Sequence, residues 1–353
     1  MMDSVIDQRE TGAITGTATP APARILIRSS NWLGDAVMTV PAVAAIKRSN
    51  PGSHIAILTR SKLADFWRIV PEVDEVIEIS PRDSVFAVAR KIRSGFEMAL
   101  LLPNSMRAAL EVYLARIPRR VGSCGKSRSW LLNEIVPAGV KPGPPQHQFL
   151  RYLELARFVG ATIDDSICRV ESAFSQTRGR ALKDEAHSLK ASVRIGLCAG
   201  AEYGPAKRWL PERFAEVVNT VSQRRACEWV LLGSTRDEMI GEQIAGQIED
   251  KFSNLIGKTT LAELITTLSG CRLLVTNDTG TMHLASYLGV PTVAIFGSTE
   301  PALTGPLGKG HRVLRHHVVC SPCFLRKCPL DFRCMRSVEA GEVVEAVLRM
   351  LDE

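Results

Sequence analysis

The run RILIRSSNWLGDAVMTVPAVAAIKRS, Arg24 to Ser49, decides the fold class. Its first five residues, Arg24-Ile-Leu-Ile-Arg28, are a short β-branched run and read as a strand. From Asp35 to Ser49 the residues follow a helical period, through Pro41. The loop between them holds Gly34, which permits a tight turn, and Asp35, which stands where a helix is capped. A strand feeding a helix in this way is a βα unit, the building block of a parallel sheet. The Asp35 carboxylate has two compatible readings. It caps the helix, or it sits at a cleft edge where it takes a proton from an incoming hydroxyl.

The alternation continues outward. Strands are expected at His54 to Leu58, Glu75 to Ile79, Met98 to Leu102 and near Arg120-Val121, with helices at Lys62 to Arg68 and Ser105 to Ala115. A Pro/Gly-rich stretch from Gly139 to Pro145 precedes an amphipathic helix at Phe149 to Gly160, and a polar, weakly patterned region follows. The βα pattern then restarts at Ser192 to Cys198. Further strands are expected at Glu228 to Leu232, Arg272 to Thr276 and Pro291 to Phe296, with helices at Pro211 to Arg224, Asp237 to Glu249, Leu261 to Leu268 and Met282 to Leu288. Two doubly wound halves make a cleft, and ligands of such sheets bind beyond the carboxyl ends of the strands.

Length and composition agree with this. At 353 residues the chain is long enough for two domains, and its 45% hydrophobic and 23% charged content is ordinary for a globular protein. No apolar run approaches the roughly 18 residues that span a bilayer. Residues 1–23 have neither a basic n-region nor an apolar h-region and read as a disordered leader, so a cytoplasmic, reducing setting is expected. The net charge of +7 suggests an anionic partner. Aromatics are only 6% of the chain, too few for the stacking surfaces of single-strand binders, so nucleic acid is not expected.

Three loops after strands carry the chemistry. Ala199 to Trp209 offers small residues, among them Gly200 and Ala201, whose backbone N–H groups stay accessible, and Lys207 shortly before a helix. Such a loop suits a diphosphate, where amides and a cation meet charge on a departing nucleotide. Thr276-Asn-Asp-Thr-Gly-Thr-Met-His283 follows an apolar strand and opens a helix whose amides face a ligand. Asp278 and Thr279 are placed to cap it, Gly280 permits close approach, and Thr281, Met282 and His283 occupy the first turn. Gly297-Ser-Thr299 extends the same floor, and Asp237, after Leu232, either caps a helix or holds a sugar hydroxyl. The Gly-x-Gly-x-x-Gly fingerprint and the Walker lysine motif follow none of the expected strands, which argues against NAD enzymes and P-loop ATPases.

Four of nine cysteines, Cys320, Cys323, Cys328 and Cys334, form a C-x2-C-x4-C-x5-C cluster. Four thiolates in fifteen residues suit zinc or an iron–sulfur cluster, with free thiols as the other reading. Between Asn104 and Ser129, Arg107, Arg116, Arg119, Arg120, Lys126 and Arg128 face the single acid Glu111. They form either a basic cleft wall for a phosphorylated acceptor, a surface for the membrane displaying it, or ordinary solvated arginines.

Together these segments resemble the lipopolysaccharide heptosyltransferase family (glycosyltransferase family 9), most closely its heptosyltransferase II branch. The matching stretches are SSNWLGDAVMTVPAV (Ser29 to Val43), LLPNSMRAAL (Leu101 to Leu110), CAGAEYGPAKRWLPERFAEV (Cys198 to Val217), LLGSTRD (Leu231 to Asp237) and VTNDTGTMHLASYLGVP (Val275 to Pro291). The resemblance implies a GT-B fold: two Rossmann-like α/β domains facing across a cleft. Residues 24–170 would be the acceptor domain, 171–190 a linker, and 191–336 the ADP-sugar domain with the cysteines. Residues 337–353 would be a final helix returning toward the first domain.

It further implies inverting transfer of L-glycero-D-manno-heptose from ADP-heptose to the heptosyl-Kdo2-lipid A inner core, with no cofactor required. Asp35 matches the general base and Lys207 the diphosphate lysine. Asp278, Thr279, Gly280 and His283 match the donor segment, and Asp237 falls where a hydroxyl-binding acid stands. The acceptor side is expected to draw on Ser30, Asn31, Trp32, Asn104, Arg107 and Arg120. A monomer at the cytoplasmic face of the inner membrane of a Gram-negative cell is the implied setting. A non-catalytic sugar-nucleotide or metal-binding protein, a nucleotide-sugar epimerase, and a member of the same family with another acceptor or sugar nucleotide are the rival readings. Intact Asp35 and Lys207 argue against the first. The epimerase would need no acceptor.

Overall fold

The computed structural model describes residues 22–93, 95–125, 128–137, 145–164, 167 and 193–353. The expected leader, apart from its last two residues, and the expected linker at 171–190 lie outside the described residues, as does Lys126.

In the first half the elements run β1 (Arg24–Arg28), α1 (Leu33–Ser49), β2 (His54–Arg60), α2 (Ala64–Arg68), β3 (Glu75–Ile79), α3 (Val85–Lys91), β4 (Met98–Leu101), α4 (Met106–Leu114), β5 (Arg119–Ser123), β6 (Glu134–Val136) and α5 (Phe149–Phe158). The strands form one parallel sheet in the order β3-β2-β1-β4-β5-β6. Ile27 of β1 lies beside Ile57 and Leu100 in register. All three are fully buried, as expected of central parallel strands covered on both faces.

The second half repeats the plan with β7 (Val193–Cys198), α6 (Pro211–Arg224), β8 (Cys227–Leu231), α7 (Glu238–Ala245), β9 (Phe252–Asn254), α8 (Leu261–Ser269), β10 (Leu273–Asn277), α9 (Gly280–Tyr287), β11 (Thr292–Ile295), α10 (Pro301–Thr304), β12 (His311–Leu314), α11 (Arg333–Arg336) and α12 (Ala340–Asp352). Its sheet order is β12-β11-β10-β7-β8-β9. In both halves the order reverses beside the first strand, between β1 and β4 and between β7 and β10. A crevice for a ligand opens at such a switch point. The loops after β1, β7 and β10 are the three singled out above.

The halves pack directly on each other. Helix α1 is buried along Ala36–Ile46, because its apolar residues surround it, and it meets both α5 and α9. The Tyr287 ring sets its edge on Phe66 with centroids 5.3 Å apart, and its hydroxyl donates to the Ile69 carbonyl at 3.3 Å. One apolar cluster therefore runs from Ile25 and Ile46 into Leu284 and Tyr287.

The C-terminal helix departs from expectation. Instead of returning to the first half, α12 packs on α6 and on β10 and β11, where Val343 and Val347 are fully buried beside Ile195 and Trp209. Its stripe of Val343, Val344, Val347 and Met350 closes the exposed face of the second sheet. Elements α3, β6, β9, β12, α10 and α11 were not anticipated. They span seven residues or fewer, too short to display a period. Among the described residues no helix is long and apolar enough to cross a membrane.

Candidate functional site

A cavity of about 620 Å³ opens between the halves, with Asp35 and Trp32 on one wall and Lys207, Asp278 and Thr279 on the other. Two glycines let the walls approach. A Cβ on Gly34 would stand 2.8 Å from Cδ2 of His283, and one on Gly280 would stand 3.3 Å from the Gly34 nitrogen.

On the first wall, Trp32 rather than Asp35 is the N-cap of α1, and no side chain caps that end. Asp35 is the third residue of the helix. Its Oδ1 accepts from Nε2 of Gln148 at 3.3 Å, and Gln148 also reaches the Tyr152 hydroxyl at 3.3 Å. The capping reading therefore fails, and the carboxylate lies on the wall of the cleft. Burial raises the Asp35 pKa above the ordinary carboxylate value, with the Gln148 amide and the Lys207 charge pulling against it. Ser30 turns its hydroxyl to the Trp32 carbonyl at 3.3 Å, and Asn31 Oδ1 is buried without a hydrogen-bond partner. Neither lines the cavity, whereas Trp32 does, under the Lys62 ammonium 5.5 Å from its ring centroid.

The opposite wall is one network. Lys207 Nζ donates to Asp278 Oδ2 at 2.6 Å, and Thr299 Oγ1 donates to the same oxygen at 2.6 Å. Asn277 ties the loops together, accepting from the Trp209 amide at 3.0 Å and donating to the Ala199 carbonyl at 2.7 Å. Thr279 is the N-cap of α9 without a side-chain bond, which leaves the first amides of that helix facing the cavity. His283 is 3% exposed, its Nδ1 has no partner, and burial lowers its pKa to about 4, so it is neutral at pH 7. Two expected donor contacts turn away. Met282 is buried against Ala294 and Phe296, and Thr281 bonds the Cys198 thiol.

A second cavity of about 480 Å³ adjoins the Lys207 loop, lined by Ala201, Arg208, Ser234 and Asp237 among others. Asp237 accepts from Arg208 at 3.1 Å and from the Ser234 hydroxyl at 2.7 Å. Gly200 is required beside it, since a Cβ there would come within 2.4 Å of the carboxylate carbon.

The basic stretch is not brought to the cleft. Arg107 donates to Glu111 at 2.9 Å and to the Asp83 carbonyl at 2.6 Å. Arg120 bonds the carbonyls of Leu131 and Ile117 and stacks on Tyr113, and Asn104 reaches the Cys124 carbonyl at 3.4 Å. Glu111 is fully buried and also holds Arg28 at 3.0 Å. These side chains hold the first half together, and none lines either cavity.

In their place the fold supplies Gln148 and Arg151 from α5, and Tyr203, Phe324 and Arg326 from loops of the second half. No local pattern marks these residues, because each arrives through contacts distant in sequence. Gln148, for instance, is anchored by its backbone N–H on the Leu303 carbonyl at 2.9 Å.

The cysteines lie on the second half between β12 and α12. Burial first, then the charges of the neighbouring Cys320, Cys328 and Cys323 thiols, raises the Cys334 pKa. Among the described residues no group of three or more His, Cys, Asp or Glu side chains is arranged to hold a metal ion.

The cavity, with the Asp35 carboxylate on one wall and the start of α9 on the other, suits group transfer from a phosphorylated donor. Comparison with known proteins agrees. The family model described as glycosyltransferase family 9 (heptosyltransferase) matches residues 85–332. Lipooligosaccharide heptosyltransferase 2 of Haemophilus influenzae is 32% identical over 309 residues, covering 82% of this chain and 88% of that protein. Lipopolysaccharide heptosyltransferase 2 of Escherichia coli is 28% identical over 314 residues, covering 83% and 88%. The solved structure of E. coli ADP-heptose LPS heptosyltransferase II matches with a TM-score of 0.75 at 25% identity, covering 93% of this chain and 98% of that one. A family match over most of the chain, and a relative above 30% identity across four-fifths of it, make this chain a glycosyltransferase that belongs to glycosyltransferase family 9, the heptosyltransferases.

Proposed function

We propose that the chain transfers L-glycero-D-manno-heptose from ADP-heptose to the heptosyl-Kdo2-lipid A inner core of lipopolysaccharide, with inversion. The observation that carries the reading is Asp35 facing the Lys207–Asp278 network across one cavity. Asp35 takes the acceptor hydroxyl proton, the oxygen attacks the anomeric carbon, and the bond to ADP breaks on the opposite face. The first amides of α9 meet the charge that develops on the leaving diphosphate. Asp237 is placed for the ribose hydroxyls, and Arg151, on the first-half wall, for a phosphate of the acceptor.

The step calls for no metal ion. Zinc or an iron–sulfur cluster on Cys320, Cys323, Cys328 and Cys334 would be structural and forms no part of it. Both cavities are built from one chain, so a monomer suffices. The enzyme works at the cytoplasmic face of the inner membrane, where its acceptor is displayed, and the α3–α4 face described below supports that setting.

The test is a panel of ADP-heptose and other sugar nucleotides against lipid A carrying zero, one or two heptoses. The reading expects ADP release and sugar transfer only with ADP-heptose and the one-heptose acceptor. Release of a changed sugar nucleotide without acceptor would indicate an epimerase and overturn it.

A further inference from the structure

The segment between β12 and α11, which carries three of the clustered cysteines, is a strap across the donor loop. Its Cys323 and Phe324 amides donate to the Ser298 carbonyl at 3.1 and 2.9 Å, next to the Thr299 that bonds Asp278. At its tip the Arg326 carbonyl accepts from the Ala206 amide at 3.1 Å, and the Arg326 Nε donates to the Tyr203 carbonyl at 2.7 Å. The Tyr203 hydroxyl donates back to the Phe324 carbonyl at 2.7 Å. The fit leaves no room for a side chain on the loop beneath, since a Cβ on Gly204 would stand 2.4 Å from the Arg326 carbonyl oxygen. Strap and loop are thus held as one body, with Lys207 one turn away.

Charge shows what the strap adds. Lys207 is already matched by Asp278 at 2.6 Å, so the pair brings little net positive charge to a diphosphate. Arg326 lines both cavities, and among the described residues no carboxylate lies within ion-pair distance of it. Among the described residues only its Nε is hydrogen-bonded, which leaves both terminal nitrogens of the guanidinium for phosphate oxygens, the geometry a planar fork serves well. The Tyr203 ring supports both cations, with Lys207 Nζ 4.9 Å and Arg326 Cζ 5.4 Å from its centroid.

We propose that Arg326, held over the Lys207 loop by the cysteine-bearing strap, is a donor-binding residue that supplies the uncompensated cation for the diphosphate of the sugar nucleotide. The assignment rests on the reading of the donor as a nucleoside diphosphate sugar.

The experiment is titration of ADP and of adenosine into the full-length protein and its Arg326→Ala and Arg326→Lys variants, with thermal unfolding to confirm folding. Loss of a charge-assisted phosphate contact should weaken ADP by about 30-fold in Arg326→Ala. Adenosine should stay within about threefold, because it lacks the group Arg326 holds. Arg326→Lys, which keeps the charge but not the planar fork, should recover only part of the ADP affinity. ADP binding within threefold of the unmodified protein in Arg326→Ala overturns the assignment. So does an equal loss for adenosine, which would make Arg326 only a support for the loop. Should the unmodified protein bind neither ADP nor ADP-heptose, the donor reading itself falls, and this assignment with it.

Discussion

At the scale of residues, the environment of Asp35 sets the pH behaviour that the proposed mechanism predicts. A carboxylate acts as a base only when ionised, and burial raises the Asp35 pKa above the ordinary value near 4. The rate should therefore fall as pH drops through that raised value, so the acid limb of kcat/KM lies above pH 4. An acid limb at or below pH 4 would show that Asp35 is not the group being titrated. The same sign governs stability. A raised folded-state pKa contributes stability that is complete below the unfolded value and lost as pH rises through the folded one, so ionised Asp35 is a strain carried at neutral pH. Asp35, Lys207 and Asp278 were legible in the sequence because each follows a short apolar strand in a loop of small or polar residues. The N-cap assignment of Asp35 missed by three residues, since Trp32 occupies that place. Gln148, Arg151 and Arg326 were not legible, because what makes them site residues is a partner far away in the chain.

At the scale of elements, α4 shows why composition alone misplaced the acceptor side. Its buried face is Ala108, Ala109 and Val112, while Met106 and Tyr113 lie on the outer side with Trp130 edge-on to Tyr113 at 6.1 Å. Phe86 on the adjoining α3 is 73% exposed and Trp130 67%. Exposed Arg82, Arg90 and Arg116 lie on or beside the same two helices. Aromatics among arginines fit the interface of an anionic bilayer, where rings sit at headgroup level and cations meet acidic lipid. Of the basic stretch read from the sequence only Arg116 belongs to this outer face, since Arg107, Arg119, Arg120 and Arg128 are bonded within the first half. The enzyme should sediment with vesicles containing acidic phospholipid and not with purely zwitterionic ones. Phe86→Ser with Trp130→Ser should weaken that binding by about tenfold while leaving turnover on a water-soluble acceptor unchanged. Binding insensitive to both substitutions would remove this face from the account. The C-terminal helix teaches a related lesson: the resemblance implied a helix there, but its apolar stripe does not say which surface it covers.

At the scale of the whole molecule, two sheets of the same strand order meet along α1 and α9, and their switch-point loops face one another. The alternation of strands and helices was enough to read this doubling. The seam was beyond reach, because Tyr287 against Phe66 joins residues more than two hundred positions apart. In the proposed reaction the work is divided between the halves, with Asp35 as base on the first and the donor network on the second. That division is the central claim, and Asp35→Asn tests it most directly. Turnover with ADP-heptose and the one-heptose acceptor should fall by about 10² to 10⁴ with loss of the base, while ADP affinity stays within about threefold. Near-normal turnover, or a loss of ADP affinity matching the loss of rate, would contradict it.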